Sequence, residues 1–437
     1  MAQVSRSLDR VGVVFDEPNL VANAGLILVA TLVARLDLEA LIDSTVRLAG
    51  RVGGTSPGAK VLTLVNAMIA GGNHIDHTEV LRSGATAGVL GHRVFAPSTV
   101  GTFLRAFTFG HVRQLEAVVG KALERAWKAG AGPGSDRLVI DIDSTICQVY
   151  GRLKIGASYG YSKVLGYHPI LATRADTGEV VHARMRKGSA NTQRGTKRFV
   201  EELIARVRRA GATGEIVVRF DSGYWSNETI KVLGRLDVRY TMAVRATTKA
   251  VAAAIAGIGE GDWVPIAYTP DGEAAVAECV YKGRRLIVRR TRLTGVAQQA
   301  LWPDWRHFAF LTDLGGDAVA LDVFHRQHAV VELTIDDLKE GSGIDHIPSG
   351  NFCANGAWLC AAVLAHNLLR WTVTIGIPRR VDQLTVVRTA RTRLINIPGR
   401  LVNRHGTITL RGPRNWPWRQ WFNRRLARLR ALPILSG

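Results

Sequence analysis

The sequence predicts an α/β protein built around a carboxylate-bearing sheet, with a helical segment before it and a β-rich segment set into it. Three observations predict this. The apolar run Leu138 to Ile142 has the length and flanks of a buried strand, yet it carries Asp141 and leads into Asp143. From there to Val244, short β-like runs alternate with two helical patterns. Residues 1 to about 130, and again those from Leu321 on, carry helical spacing instead.

The first 130 residues hold apolar stretches of helical length at Leu26 to Leu48 and Ala59 to Ala70. Pro97-Ser98-Thr99 precedes Val100, Phe103 and Leu104, which predicts a helix capped by Ser98. This basic helical segment is expected either to bind DNA, through a helix-turn-helix, or to form a structural layer. His74 and His77 flank Asp76 in a Gly-rich turn, where a polar loop is expected and a metal site is the alternative.

Gly130-Ala-Gly-Pro-Gly-Ser reads as a linker. The strand at 138 follows. Tyr167 to Arg174 is the second strand, Asp176-Thr177-Gly178 a hairpin turn, and Glu179 to Met185 the third strand. A helix from about Gly195 to Ala210 places Phe199, Leu203 and Val207 on one face. Glu215 to Phe220 is the fourth strand, with Asp221 at its end. Ser226 opens a helix, and Tyr240 to Val244 is the fifth strand. Three strands with a hairpin, helix, strand, helix, strand is the ribonuclease-H-like order. In such a sheet a carboxylate on the first strand and one ending the fourth lie side by side.

Strand side chains alternate with period two, so Asp141 and Asp143 face the same way. Carboxylates in a buried strand are costly unless cations pair with them. Holding Mg²⁺ is the expected use, and two solvated acids on an edge strand the alternative. Residues 246–320 form the expected β-rich insertion, with strands at Ala274 to Tyr281, Arg285 to Thr291 and Phe308 to Thr312, and with Trp302 and Trp305. Residues 321–375 close the core (137–245) with helices, the longest from Asn355 to Trp371.

The formal charge is +21, which predicts a polyanionic partner. The charge is concentrated. Residues 376–437 hold 14 arginines, no lysine and one acid, Asp382. His182 to Arg198, which includes Arg186 and Lys187, holds six Lys or Arg and no acid. Arginine forks suit phosphate oxygens. Cys147, Cys279, Cys353 and Cys360 show no zinc spacing and suit a reducing cytoplasm. Apolar runs such as Leu26 to Ala34 are too short to span a bilayer, and the N-terminus has no signal pattern.

Asp-Ile-Asp-Ser-Thr, residues 141 to 145, matches the first motif of haloacid-dehalogenase-like phosphatases, with Asp141 as nucleophile and Asp143 as acid/base. No downstream acidic pair completes that site. The chain also resembles the DDE transposases of the IS4-like group, most closely the IS1380 family, over about residues 138–372. The resemblance is carried by Asp143-Ser144-Thr145, the Gly-Tyr and Gly-Tyr-His-Pro run of 160–169, Arg219-Phe220-Asp221-Ser222-Gly223, Glu332 with Lys339, and Ala365-His366-Asn367-Leu368.

The resemblance implies a ribonuclease-H-like catalytic domain in which Asp143, Asp221 and Glu332, with Asp141 near them, hold two Mg²⁺ ions, or Mn²⁺ in their place. It implies cut-and-paste transposition by a homodimer on double-stranded DNA, acting on terminal inverted repeats and a target, in the bacterial cytoplasm at the nucleoid. The family places a Tyr seven and an Arg four residues before the Glu. Here His325 and His328 stand there, with Arg326 between, so Arg326 or His328 is expected to meet the terminal phosphate. Trp302 and Trp305 are the candidates for stacking on a flipped base. A DNA-binding descendant with a dead site is the non-enzymatic alternative.

Overall fold

The computed structural model describes residues 11–48, 50–160, 163–268, 272–293, 305–375 and 386–435. Trp302 lies outside them. The N-terminal layer is helical, with α1 (Leu26–Arg35), α2 (Leu38–Thr45), α3 (Pro57–Ala70), α4 (Pro97–Arg105) and α5 (Phe109–Ala126). The apolar stretch from Leu26 forms two helices and not one. Asp37 breaks it at φ 46°, ψ 48°, a left-handed conformation. Arg125 of α5 secures the break by donating to the carbonyls of Leu36 and Asp37. At α4, Pro97 takes the first helical position and Ala96 is the N-cap, so Ser98 lies inside the first turn and does not cap.

The main sheet has nine strands. They are β1 (Leu138–Ser144), β2 (Ile170–Arg174), β3 (Val180–Arg184), β4 (Ile216–Phe220), β5 (Arg239–Val244), β6 (Val264–Pro265), β7 (Gly272–Tyr281), β8 (Arg284–Leu293) and β9 (Arg306–Thr312). Their spatial order is β6-β7-β8-β9-β5-β4-β1-β2-β3. β2 is antiparallel to β1, and β3 to β2. β4 runs parallel to β1, and β5 parallel to β4. Parallel neighbours need crossovers, which α6 (Thr196–Arg209) and α7 (Asn227–Arg235) supply.

The β-rich insertion begins with α8 (Lys249–Ala256) and continues this sheet. β9 pairs antiparallel with β5, Ala309 opposite Val244, and β8 and β7 extend outward as a long hairpin. The stretch expected as one strand from Tyr167 is two. Leu165–Tyr167 joins Cys147–Gln148 and Ser158–Tyr159 in a small separate sheet, and β2 starts only at Ile170. Pro169 stands between them and has no N–H for a ladder.

The chain then forms α9 (Ala318–Arg326), α10 (Val330–Ser342) and α11 (Phe352–Thr374). The side chain of Asn351 caps α11 by accepting from the amides of Cys353 and Ala354. α11 is long and apolar enough to cross a membrane, contrary to the expectation that no run is, but 89% of its apolar window is buried inside the protein. His366 and Asn367 interrupt its apolar run in the sequence. Both point inward: Asn367 pairs with the amide and carbonyl of Val180, and His366 meets the Gly178 carbonyl. Helices of the N-terminal layer pack on α11 from one side and β3 from another, so it joins the two layers.

Glu179 fastens the same junction. It is 1% exposed and accepts from Trp127 Nε1 (3.0 Å), Trp371 Nε1 (2.6 Å) and Arg174 Nη1 (3.2 Å). Glu179→Ala would leave two indole N–H groups unpaired in the core and remove one of the partners of Arg174, which keeps Asp176 and the Ala131 carbonyl. A loss of about 3–5 kcal/mol is expected, and a melting curve matching wild type would refute that account.

The segment after Val386 folds back on the N-terminal layer. Strands Gly399–Arg404 and Thr407–Arg411 form a hairpin whose edge pairs with Leu20–Val21. α12 (Arg419–Ala431) packs on α1. Arg391 is buried and donates to the carbonyls of Ile69, Met68 and Gly341.

Candidate active site

β1 and β4 are parallel neighbours, and their register sets Asp141 opposite Arg219. Both side chains are about 1–2% exposed. Arg219 grips Asp141 with a two-pronged bond, Nε to Oδ1 at 2.7 Å and Nη2 to Oδ2 at 2.8 Å. Its Nη1 reaches the Phe324 carbonyl of α9. A third bond falls on Asp141 Oδ1 from His328 Nδ1, at 2.7 Å. Both oxygens are therefore engaged by cationic or imidazole donors. The burial problem the sequence posed at this position is solved by an internal guanidinium.

Asp143 lies two residues on, at the end of β1, half-buried, with the Ser144 amide 2.7 Å from Oδ1. Burial pushes its carboxyl up to about 6. The Ser144 amide and His328 pull it down, while Asp221 and Glu332 push it up. Asp221 directly follows β4, whose Phe220 pairs with Ile142 of β1, and Glu332 lies in the first turn of α10, which packs on β1. Both of these carboxylates are exposed. Among the described residues no three such groups converge tightly enough to hold an ion as they stand. Like charges at one sheet end repel until a cation neutralises them. The donor set is oxygen, at the meeting point of two strand ends and a helix, and its chemistry fits a hard divalent cation.

The other expected residues divide into two groups. Arg326 ends α9, and His328 lies in the turn before α10, bonded to Asp141. Arg326 is partly exposed, bonded through Nε to Asp322 (2.9 Å) and set over the Tyr268 ring. Lys339 lies seven residues beyond Glu332 on α10 and is half-buried. Trp305 is stacked against the guanidiniums of Arg290 and Arg292, at 4.4 and 4.6 Å. Lys187 is exposed.

His325 and Arg186 turn inward, contrary to a role at a DNA surface. His325 is 3% exposed, stacks on Phe310 and bonds Thr241 Oγ1. Burial, then the neighbouring His328 and arginines, hold its pKa well below the ordinary histidine value, so it is neutral. Arg186 spends its donors on the carbonyls of His168, Asn191, Thr192 and Arg194, which shapes the loop before α6. The His74 and His346 ring centroids are 3.6 Å apart and His74 bonds Asn73 through Nδ1; in place of the expected polar loop, His74 is the N-cap of a 3₁₀ helix, Ile75–Arg82, that contains Asp76 and His77.

Two site residues carry roles the sequence did not assign. Arg219 is one, although a carboxylate within a buried strand signals a partner cation. The other is Asp322 on α9, 0% exposed, which holds Arg289 by Oδ1 (2.7 Å) and Arg326 by Oδ2.

The chain belongs to the family of transposase DDE domain group 1, whose model matches residues 4–434. It is thus a DDE transposase, a polynucleotidyl transferase that acts on DNA. No curated protein matches the chain. A solved structure, the piggyBac transposase synaptic complex with hairpin DNA, is similar at 11% identity over 85% of this chain and 79% of that one, with a TM-score of 0.49.

Proposed function

We propose that Asp143, Asp221 and Glu332 are the catalytic carboxylates for strand cleavage and transfer at the ends of an insertion sequence. The observation that carries this is geometric: Asp143 and Asp221 stand at the same end of the parallel neighbours β1 and β4, and Glu332 lies in the first turn of α10, which packs on β1. The strand order β3-β2-β1-β4-β5, with β1, β4 and β5 parallel, supports a ribonuclease-H-like core. In this proposal residues 137–245 and 321–375 make the core, 246–320 the insertion, 1–130 the helical N-terminal part and 376–437 the basic C-terminal part. Two Mg²⁺ ions, or Mn²⁺, bound there would activate a water or 3′-hydroxyl and stabilise the leaving oxygen. Asp141 positions Arg219 and His328 and is not itself a ligand. That occupancy also removes the phosphatase alternative, whose nucleophile would have to be Asp141.

Partners in this proposal are the terminal repeats and target DNA, bound by a homodimer of the IS1380 type at the bacterial nucleoid. Arg326 and Lys339 serve phosphates near the cleaved bond, and Trp305 remains the stacking candidate. Incubation of the protein and Mg²⁺ with DNA carrying the element's ends tests the proposal, since absence of any nicking would refute it.

The C-terminal arginines extend the DNA surface. Arg404, Arg411, Arg414 and Arg419 are all exposed on the hairpin and the approach to α12. Truncation would also remove the strand that pairs with Leu20, so charge neutralisation is the cleaner test. Changing these four to Gln should weaken binding to all DNA sequences alike. The slope of log affinity against log salt should fall by up to about 3.6, near 0.9 per phosphate contact. An unchanged slope would exclude this face.

A further inference from the structure

His328 stands where the resembling family has an arginine, yet its surroundings are not those of a phosphate-binding cation. Its Nδ1 lies 2.7 Å from Asp141 Oδ1. That carboxylate is already gripped by Arg219 on both oxygens, so it acts as acceptor only. The proton of this bond must therefore sit on Nδ1. In the neutral ring Nε2 then carries the lone pair, and it has no hydrogen-bond partner among the described residues. Asp141, to which the ring is bonded, shares its strand face with Asp143 two residues on, and Glu332 follows His328 by four residues, about one helical turn. The ring is only 14% exposed, so solvent does not compete freely for Nε2. A carboxylate that fixes one imidazole nitrogen while the other is left free is the arrangement by which proteins orient metal-binding histidines.

We propose that His328 is a nitrogen ligand of the metal site, held in the ligating tautomer by the Asp141–Arg219 pair. This rests on the assignment of Asp143, Asp221 and Glu332 as the carboxylate ligands. An imidazole donor also shifts metal preference, because Mn²⁺ gains more from nitrogen than Mg²⁺ does.

The test is metal binding by the full chain, with Mn²⁺ as the probe and no DNA cleavage readout. Pulsed electron paramagnetic resonance of the Mn²⁺ complex should show coupling to a directly bound imidazole nitrogen in the wild type. His328→Gln keeps an N–H that can reach Asp141, and its melting temperature reports whether the fold survives. In this variant the coupling should vanish, Mn²⁺ affinity should fall about tenfold or more, and the Mn²⁺-over-Mg²⁺ preference should narrow. Mn²⁺ bound in an Asp143-dependent way without nitrogen coupling would overturn the histidine ligand and leave the carboxylate assignment standing. Coupling that persists in His328→Gln would overturn it equally, by assigning the nitrogen elsewhere. Loss of all Asp143-dependent Mn²⁺ binding from the wild type would overturn both.

Discussion

Asp143→Asn, Asp221→Asn and Glu332→Gln should each reduce DNA strand cleavage by about a thousandfold or more, because each removes a charge required only for chemistry. DNA binding should stay within a few-fold of wild type. Asp143→Asn carries a second, opposite signature. Its carboxyl titrates near 6 in the fold, against an ordinary value of 3.8. Between those values the folded protein holds a proton that the unfolded chain has released. The stability of the metal-free protein therefore falls as pH rises from about 4 to 6, and stays low above that. The cost at neutral pH is about 2–3 kcal/mol. The metal-free Asn variant should melt higher than wild type at pH 7.5, and the gap should close toward pH 4. An inactive variant that melts lower at pH 7.5 would mean that burial and repulsion at Asp143 are not as described. Full activity in Glu332→Gln would remove Glu332 from the site.

Asp141→Ala is expected to behave quite differently. It should lower stability by about 3–5 kcal/mol, since it strands the Arg219 guanidinium in the core with only the Phe324 carbonyl. Arg219→Leu should cost as much, by stranding the carboxylate. Combining Asp141→Leu with Arg219→Leu should recover much of the loss, because two apolar side chains then replace a buried ion pair. Thermal melts of the three variants decide this. Additive losses in the double variant would show that the two side chains do not act as a pair. Activity per folded molecule should also fall in Asp141→Ala, because His328 loses its anchor.

The sequence reveals the alternation of Asp141 and Asp143 on one strand, and with it the sheet end where the carboxylates gather. It also reveals the order of strands and helices through Val244, because each crossover helix carries a clear apolar face, such as Phe199, Leu203 and Val207 in α6. Proximity in sequence does not reveal partners that come from distant elements. Nothing near Asp141 announces Arg219, 78 residues away, or His328, 187 residues away. Only strand register and the return of α9 bring them together. Basic residues were the least legible. Arg186 and Arg391 belong to runs that look like solvated faces, but each is buried because backbone carbonyls, which no composition records, satisfy its guanidinium. Likewise His325 and His328 are three residues apart, yet one packs against Phe310 and the other against Asp141, as the pitch of the helical turn between them dictates.

The embrace of the first helices by the last elements has a consequence for how the chain is made. Leu20 lies beside Arg400, and α1, α3, α4 and α5 pack on a helix that begins at Phe352. Closing a loop of that span costs about 5 kcal/mol of chain entropy. During synthesis from the N-terminus, the first 130 residues emerge with their apolar stripes uncovered and wait for a partner some 220 residues away. At about 5–20 residues per second that wait lasts roughly 10 to 45 seconds. Through it, Leu26, Leu28, Val29 and Leu32 are available to chaperones, to proteases or to other nascent chains. A product that stops just before α11 would hold Asp143, Asp221 and Glu332 but no seat for its own N-terminal layer, so prematurely ended chains should be cleared or aggregate rather than compete with whole ones for DNA.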